Sequence, residues 1–307
     1  MVSAARACNI CAAMRPAAVV VTFNPEAAVA QRLKAIAREC RTVYVVDNGS
    51  TETALKALRK AAKAAKAKLI ELGTNTGIAH AQNVGLILAF KNKSEAVILF
   101  DHDSTPRPGF AAALLRTAAA LRRPAIVGSR IHDVNMQSFA KHPCRGGLFF
   151  ARSHCPEDGM LTEALMVIAS GTLLTRDVHE QLGGMREDFF IDYVDWEYCL
   201  RARAKFGVPT VICGAAVLDH ARGERVGRRV LGITVHPPGY SPMRYEHIFR
   251  NRARLFRTYF FRNRAFICFE LVAIARDFFL LLFEKQSVRL MRLAARSWFS
   301  GFKRRAV

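Results

Sequence analysis

Ala96-Val97-Ile98-Leu99-Phe100-Asp101-His102-Asp103-Ser104 is the stretch on which the reading of this chain turns. An unbroken apolar run of five residues predicts a strand buried on both faces, as in a parallel sheet. It runs straight into two carboxylates separated by one residue. In open α/β sheets ligands bind beyond the carboxyl ends of strands, so these acids sit where chemistry is expected. Working upstream, Ala18–Phe23 is a β-branched run stopped by Asn24-Pro25, and Thr42–Val46 is a second, closed by Asp47-Asn48-Gly49-Ser50. Lys68–Leu72 is a third. Helical spacing fills the gaps: Glu26–Glu39, an Ala/Lys-rich stretch to about Ala67 with Ser50 as its expected N-cap, and a helix from about Ala79. The expected fold is therefore α/β, a mostly parallel sheet with helices on both faces. Asn24, Asp47 and Asp101 all fall at strand ends.

The chain has 307 residues, 51% of them hydrophobic, enough to bury a core and to exclude disorder as the main state. Its 46 Lys+Arg against 25 Asp+Glu leave +21, which calls for an anionic partner: nucleic acid, a phosphorylated substrate or an acidic membrane. Nucleic acid fits poorly, because acids at successive strand ends repel phosphates unless a cation intervenes, and no zinc-finger or RNA-binding aromatic motif is present. Among the eight cysteines only Cys8 and Cys11 are close, so reduced, mostly buried thiols are expected rather than a zinc site. Residues 1–16 read as a variable tip without a signal peptide. The nearest approach to a membrane span, Phe266–Phe283, is broken by Glu270, Arg276 and Asp277.

Two carboxylates two residues apart in a turn can face one divalent cation and its phosphate ligands, and Mg²⁺ or Mn²⁺ prefers such oxygen donors. The plainer alternative is a polar turn with Asp103-Ser104 capping the next helix. A second acidic group, Asp192, Asp195 and Glu197, lies beside Tyr193, Trp196 and Tyr198 at the start of a helix reaching about Lys205. The helix dipole alone would favour acids there; a general base against a substrate hydroxyl is the functional reading. Asp219-His220 follows a strand-like segment, and His220 is either a satisfied histidine or a nitrogen ligand for an ion held by Asp103.

The ordered set V-V-T-F-N-P (20–25), D-N-G-S (47–50), N-T-G-I-A-H-A-Q-N (75–83), D-H-D-S (101–104), D-x-x-D-x-E (192–197) and the later His220 resembles family 2 glycosyltransferases with the GT-A fold. It looks most like their bacterial rhamnosyltransferase branch, which builds surface polysaccharides such as O-antigen. The resemblance covers about Ala17 to Arg225. It implies a nucleotide-sugar pocket lined by Thr22, Phe23 and Asn24, with Asp47 on the pyrimidine and Asn75, Gly77 and Asn83 in the segment shaping the donor site. Asp101 would contact the ribose or deoxyribose, Asp103 and His220 would hold Mg²⁺ or Mn²⁺, and Arg222 or Arg225 would cover the diphosphate. Asp195 matches the catalytic base, with Asp192 and Glu197 as alternatives. His102 departs from the Gln common in such rhamnosyltransferases, and Val194 from the Glu common in the wider family. The implied reaction is inverting transfer, most of all of L-rhamnose from dTDP-L-rhamnose, to a lipid-linked saccharide. The alternatives are a UDP-galactofuranose, UDP-N-acetylglucosamine or other hexose donor and, behind these, a non-catalytic membrane or nucleic-acid binding protein. A sugar nucleotidyltransferase shares the substrate class, but the Gly-rich loop it needs after the first strand is missing.

Beyond about Tyr240 the character changes. Residues 241–307 carry 15 Lys+Arg against 4 Asp+Glu, supplying +11 of the +21. Helical spacing puts Ile248, Phe249, Leu255, Phe256, Tyr259 and Phe260 on one face, opposite Arg250, Arg254, Arg257 and Arg264. Further on it draws a cationic stripe of Lys285, Arg289, Arg292 and Arg296 away from Leu290, Met291, Ala294 and Trp298. Such patterning suits a helix lying in an anionic membrane interface, and equally a helix packed on protein with a solvated basic face. The expected organisation is a tip (1–16), a GT-A domain (17–240) and a helical, membrane-associating region (241–307). That places the enzyme peripherally on the cytoplasmic face of the cell membrane, without nucleic acid and with an oligomer allowed.

Overall fold

The computed structural model describes residues 15–221, 227–230 and 233–303. In chain order the elements are β1 (Ala17–Thr22), α1 (Val29–Glu39), β2 (Thr42–Asp47), α2 (Glu52–Ala64), β3 (Lys68–Glu71), α3 (Ile78–Lys91), β4 (Ala96–Asp101), β5 (Ser104–Pro106), α4 (Phe110–Ala120) and β6 (Ile126–Asp133). There follow β7 (Ser138–Phe139), β8 (His142–Gly146), β9 (Phe149–Ser153), β10 (Met160–Leu161), β11 (Thr172–Thr175), α5 (Arg176–Leu182), α6 (Val194–Phe206) and β12 (Thr210–His220). The chain closes with β13 (Arg228–Val230), β14 (Ile233–Val235), α7 (Pro242–Tyr259), α8 (Arg264–Leu281) and α9 (Ser287–Phe302).

Two compact units result. The first comprises Met1–His142, Arg152–Phe190 and Val194–Arg222. Its sheet runs β10-β12-β6-β11-β4-β1-β2-β3. Strands β4, β1, β2 and β3 are parallel, in keeping with the apolar runs of β1, β2 and β4. Strand β11 enters antiparallel between β4 and β6, and β6 pairs with β12 in parallel. Side chains alternate across β1: Ala18 and Val20 join Val43, Val45 and Ile98 in a core closed by Leu33 and Ile36 of α1, Leu58 of α2 and Leu114 of α4. Val19 points the other way, against Gly85 of α3. Helices thus cover both faces, and each buried Leu or Ile contributes about 1.5–3 kcal/mol. Buried Cys40 and Cys199 behave as core thiols, burial pushing both up, Cys199 to about 12. Cys8 and Cys11 lie outside the described residues.

One local expectation is corrected. The N-cap of α2 is Thr51, not Ser50. Ser50 instead donates its hydroxyl to Asp47.

The second unit comprises Pro143–Ala151, Ile191–Tyr193 and Gly223–Val307. Helix α7 starts at Ser241, whose hydroxyl caps Arg244 N with Pro242 at the first turn, and Asn263 caps α8 on Phe266 N. The apolar stripe expected on 248–260 is in good part spent on packing: Ile248, Phe249, Leu255 and Tyr259 are buried, as are Leu290 and Ala294 of α9. The apolar side chains that face water here include Leu271, Val272 and Phe279 on α8 and Leu282 at its C-cap. Their spacing puts them on one helical side, with Arg264 before them and Arg276 at the flank. Among the described residues no helix is long and apolar enough to cross a membrane.

At the centre of this unit Arg252 sits 2.9 Å from Glu270 and 2.7 Å from Asp277, and donates to Tyr193 Oη at 2.6 Å. Two carboxylates share one guanidinium, and Glu270 is fully buried. Burial pushes its carboxyl up to about 7 despite Arg252. Glu270 therefore binds its proton more tightly folded than unfolded, so the stability it contributes is complete below pH 4.5 and lost as pH rises through about 7. Glu270→Gln, a neutral isostere, should gain thermal midpoint relative to wild type as pH is raised across that window. A gap that stays constant with pH would refute the shifted carboxyl.

Candidate active site

Strand β4 delivers Asp101 at its carboxyl end, and the chain turns at once into the short strand β5. That strand pairs antiparallel with the end of β12, setting Ser104 opposite His220 and Thr105 opposite Asp219. By this register residues more than a hundred positions apart become neighbours. Ligand atoms of Asp101, Asp103 and His220 all lie within 4.8 Å of one another, each residue part-buried. His220 Nδ1 is 3.3 Å from Asp103 Oδ1. Burial pushes the Asp103 carboxyl up, but the hydrogen bond and charge of His220, with the charge of His102, outweigh it and hold the group below the usual carboxylate range. Two carboxylate oxygens and an imidazole nitrogen suit Mn²⁺ or Mg²⁺ with room for phosphate oxygens. Neighbouring Asp219 is occupied otherwise, receiving both arms of Arg107 at 2.8 and 3.0 Å with His132 Nδ1 at 2.8 Å.

The three candidate bases separate cleanly. Glu197 is buried and ion-paired to Arg201 at 3.0 Å, so it is a packing group of α6. Asp192 belongs to the second unit, where Arg244 clamps it through two bonds of 3.0 Å. Asp195 stands in the first turn of α6, half-buried, accepting from Trp196 N at 2.9 Å and Ala169 N at 3.2 Å. Two backbone N–H groups thus hold its carboxylate at the start of the helix. The next residue in the turn, Ser170, accepts from Asp101 N at 3.0 Å. One turn, Ala169-Ser170-Gly171, thus braces both Asp195 and the strand bearing Asp101. Gly171 is required there: φ is +78°, and a Cβ would lie 2.2 Å from Ser129 Oγ. Sequence reasoning missed Ser104 as a partner of His220, and Ser170 altogether, since small hydroxyl residues carry no distinguishing signal.

The strand ends at β1 and β2 are joined by a dense set of hydrogen bonds. Thr22 is fully buried and donates its hydroxyl to Asp47 Oδ1 at 2.9 Å. Asp47, also fully buried, further accepts from Ser50 Oγ, Ser50 N and Gly49 N. Both oxygens are saturated from within the loop. In this structure Thr22 and Asp47 thus bond to each other and to the loop that follows β2. Asn24 accepts from Thr51 N at 2.9 Å, and Phe23 beside it is exposed. Asn48 ties this loop to the next by donating to Asn75 and accepting from Thr76. Gly49 lets residue 74 approach, because its Cβ would fall 2.4 Å from the Thr74 carbonyl carbon.

Gly77 and Asn83 serve the turn before α6. Ile78 N donates to Phe190 O at 2.7 Å, and a Cβ on Gly77 would strike that residue. Asn83 donates to Met185 O and Glu187 and accepts from Met185 N. Asn83, followed by His80, holds Glu187 below its ordinary range. Asn83 is thus a strut, and Gly77 and Asn75 are loop-closing residues. Arg222 and Arg225 lie outside the described residues.

The sequence profile described as Glycosyl transferase family 2 matches residues 17–183. The chain is 33% identical to a protein of Shigella flexneri named dTDP-rhamnosyl transferase RfbF, over 78% of this chain and 79% of that one. Among solved structures it is similar to GalNAc-T7, crystallised with UDP, GalNAc and Mn²⁺ (TM-score 0.61, 12% identity, 83% of this chain). The chain spans about half of that protein, 49% of its length. It is also similar to the mannosyltransferase PcManGT of Pyrobaculum calidifontis, solved with GDP-Man and Mn²⁺ (TM-score 0.51, 19% identity, 96% of this chain and 79% of that one). These structural likenesses establish the fold.

Asp47→Ala should act first on stability. It strips the acceptor from Thr22, Ser50 and two backbone N–H groups, at about 1–3 kcal/mol for each one left buried and unpaired. A thermal midpoint unchanged in this variant would return Asp47 to the role of a free ligand contact.

Proposed function

Because this chain belongs to glycosyl transferase family 2, we propose that it moves L-rhamnose from dTDP-L-rhamnose, with inversion, to a hydroxyl of a lipid-linked saccharide in cell-surface polysaccharide synthesis. The observation that carries the reading is the convergence of Asp101, Asp103 and His220 at the carboxyl end of the parallel strands. The relative named as a dTDP-rhamnosyl transferase supports the choice of donor. Asp195 takes the proton from the acceptor hydroxyl as that oxygen attacks the anomeric carbon, and the bond to the nucleoside diphosphate breaks in the same displacement. Asp101, Asp103 and His220 are the residues that would hold Mg²⁺ or Mn²⁺, whose chemistry is to offset negative charge growing on the departing diphosphate. Exposed Phe23 offers the pyrimidine an apolar face, and Asn24 fixes the loop beside it. In this reading residues 17–240 are the catalytic region and 241–307 bind the cytoplasmic membrane surface, where a lipid-linked acceptor resides. The outer side of α8 enters the acyl boundary, and the arginines around it meet anionic headgroups.

Calorimetry with a panel of nucleotide-sugars, with and without Mn²⁺, tests the donor site. dTDP-rhamnose should bind only with the metal, and Asp103→Ala should abolish that binding. Asp195→Asn should keep donor affinity while turnover falls about 10²–10⁴-fold. Preference for a UDP-sugar would keep the family and overturn the rhamnosyl assignment.

Sedimentation with vesicles tests the membrane surface. The protein should pellet with phosphatidylglycerol vesicles and not with phosphatidylcholine, and Leu271→Glu with Phe279→Glu should release it while donor binding stays intact. Pelleting that survives the double substitution would remove α8 from the interface.

A further inference from the structure

Ser104 and Ser170 are almost completely buried, and the reaction above gives neither a role. Their hydroxyls form a connected path. Ser170 Oγ accepts from Asp101 N at 3.0 Å and donates to Ser104 Oγ at 2.8 Å. Ser104 Oγ lies 2.8 Å from His220 Nδ1 and 3.3 Å from Asp103 Oδ1. The same Asp103 oxygen is 3.3 Å from Nδ1.

Counting protons fixes the direction of this path. Ser104 has one hydroxyl hydrogen and two possible acceptors, the imidazole and the carboxylate. If it donated to Nδ1, the Nδ1 position would carry a lone pair facing a carboxylate oxygen 3.3 Å away. In the opposite arrangement Nδ1–H donates to Ser104 Oγ, and the Ser104 hydroxyl donates to Asp103. Every donor then meets an acceptor.

We infer that Ser104 and Ser170 are positioning residues that hold His220 in its Nδ1–H form, so that Nε2 keeps the lone pair with which a divalent cation is bound. The tautomer stands on these contacts; the use made of Nε2 rests on the metal-assisted reading proposed above. Partners of this kind on the far ring nitrogen orient metal-binding histidines and set their affinity. Ser170 acts one bond further out: by filling one acceptor site of Ser104 and binding Asp101 N, it locks the hydroxyl that receives the imidazole proton.

Two measurements on the full chain test this. Nitrogen-15 NMR of histidine-labelled, metal-free protein reads the tautomer, with His220→Ala supplying the assignment. His220 should be protonated at Nδ1 and bare at Nε2, and Ser104→Ala should shift it toward the Nε2–H form. Electron paramagnetic resonance of free Mn²⁺ reads affinity, which should fall about 10–100-fold in Ser104→Ala. In a His220→Ala background the same substitution should cost much less, only what the Ser104 bond to Asp103 contributes, an outcome that a merely structural serine would not produce. Should Ser104→Ala fail to fold, Ser170→Ala reports the same tautomer shift. An Nε2–H imidazole in wild type, or an undiminished loss in the His220→Ala background, would overturn the inference. Nδ1–H in a wild type that binds no Mn²⁺ would support the tautomer and overturn the cation role.

Discussion

The pairing of β5 with the end of β12 is the contact on which the site depends. It is only three residues long, yet it turns Asp101 and Asp103, products of one strand, and His220, product of another, into a single cluster. Antiparallel pairing fixes register to the residue, and a slip by one would turn His220 to the opposite face of the ladder. The neighbouring Asp219 locks that register from the side, gripping Arg107 just beyond β5 and His132 on β6. A strand pair too short to contribute much stability is thus stapled by a charged side-chain cluster.

The turn at residues 169–171 adds a second constraint. Through Ala169 N it holds Asp195, and through Ser170 it holds Asp101 and Ser104. The acid proposed to take the acceptor proton and the acids proposed to hold the cation are therefore referenced to three consecutive residues. Groups that must cooperate in one displacement gain from such a shared reference, because an error of about 1 Å in their spacing can cost about 10²-fold in rate. Packing tolerates only glycine at the third position.

In the second unit, residues 191–193 are held with comparable care. Asn251 of α7 donates to the carbonyls of Ile191 and Asp192, Arg244 clamps the Asp192 carboxylate, and Tyr193 is bound by Arg252 and Glu270. Asp192 and Tyr193 both have positive φ, a conformation that non-glycine residues adopt only when their surroundings impose it. The basic helices thus have an internal task besides any surface they present. This also explains why α7, whose sequence pattern looked amphipathic, has so much of its apolar side buried while α8 keeps one exposed.

Sequence alone was sufficient for the parallel strands β1 to β4, because short β-branched or apolar runs bounded by turn residues alternate there with helical stretches. It also singled out Asp101, Asp103 and His220, whose ligand atoms the fold brings within 4.8 Å of one another. It ranked Asp195 above Asp192 and Glu197 only by resemblance; that Arg244 pairs with Asp192 and Arg201 with Glu197 had to be seen in place. Exposed and buried carboxylates are written with the same letter, so that Asp47 is buried and bonded by Thr22 and its own loop had to be seen in place. Ser104 and Ser170 carry no periodicity, charge or motif of their own as partners of His220. Hydrogen bonding between residues 66 and 116 positions apart is a property of the folded chain, and tertiary structure alone decided it.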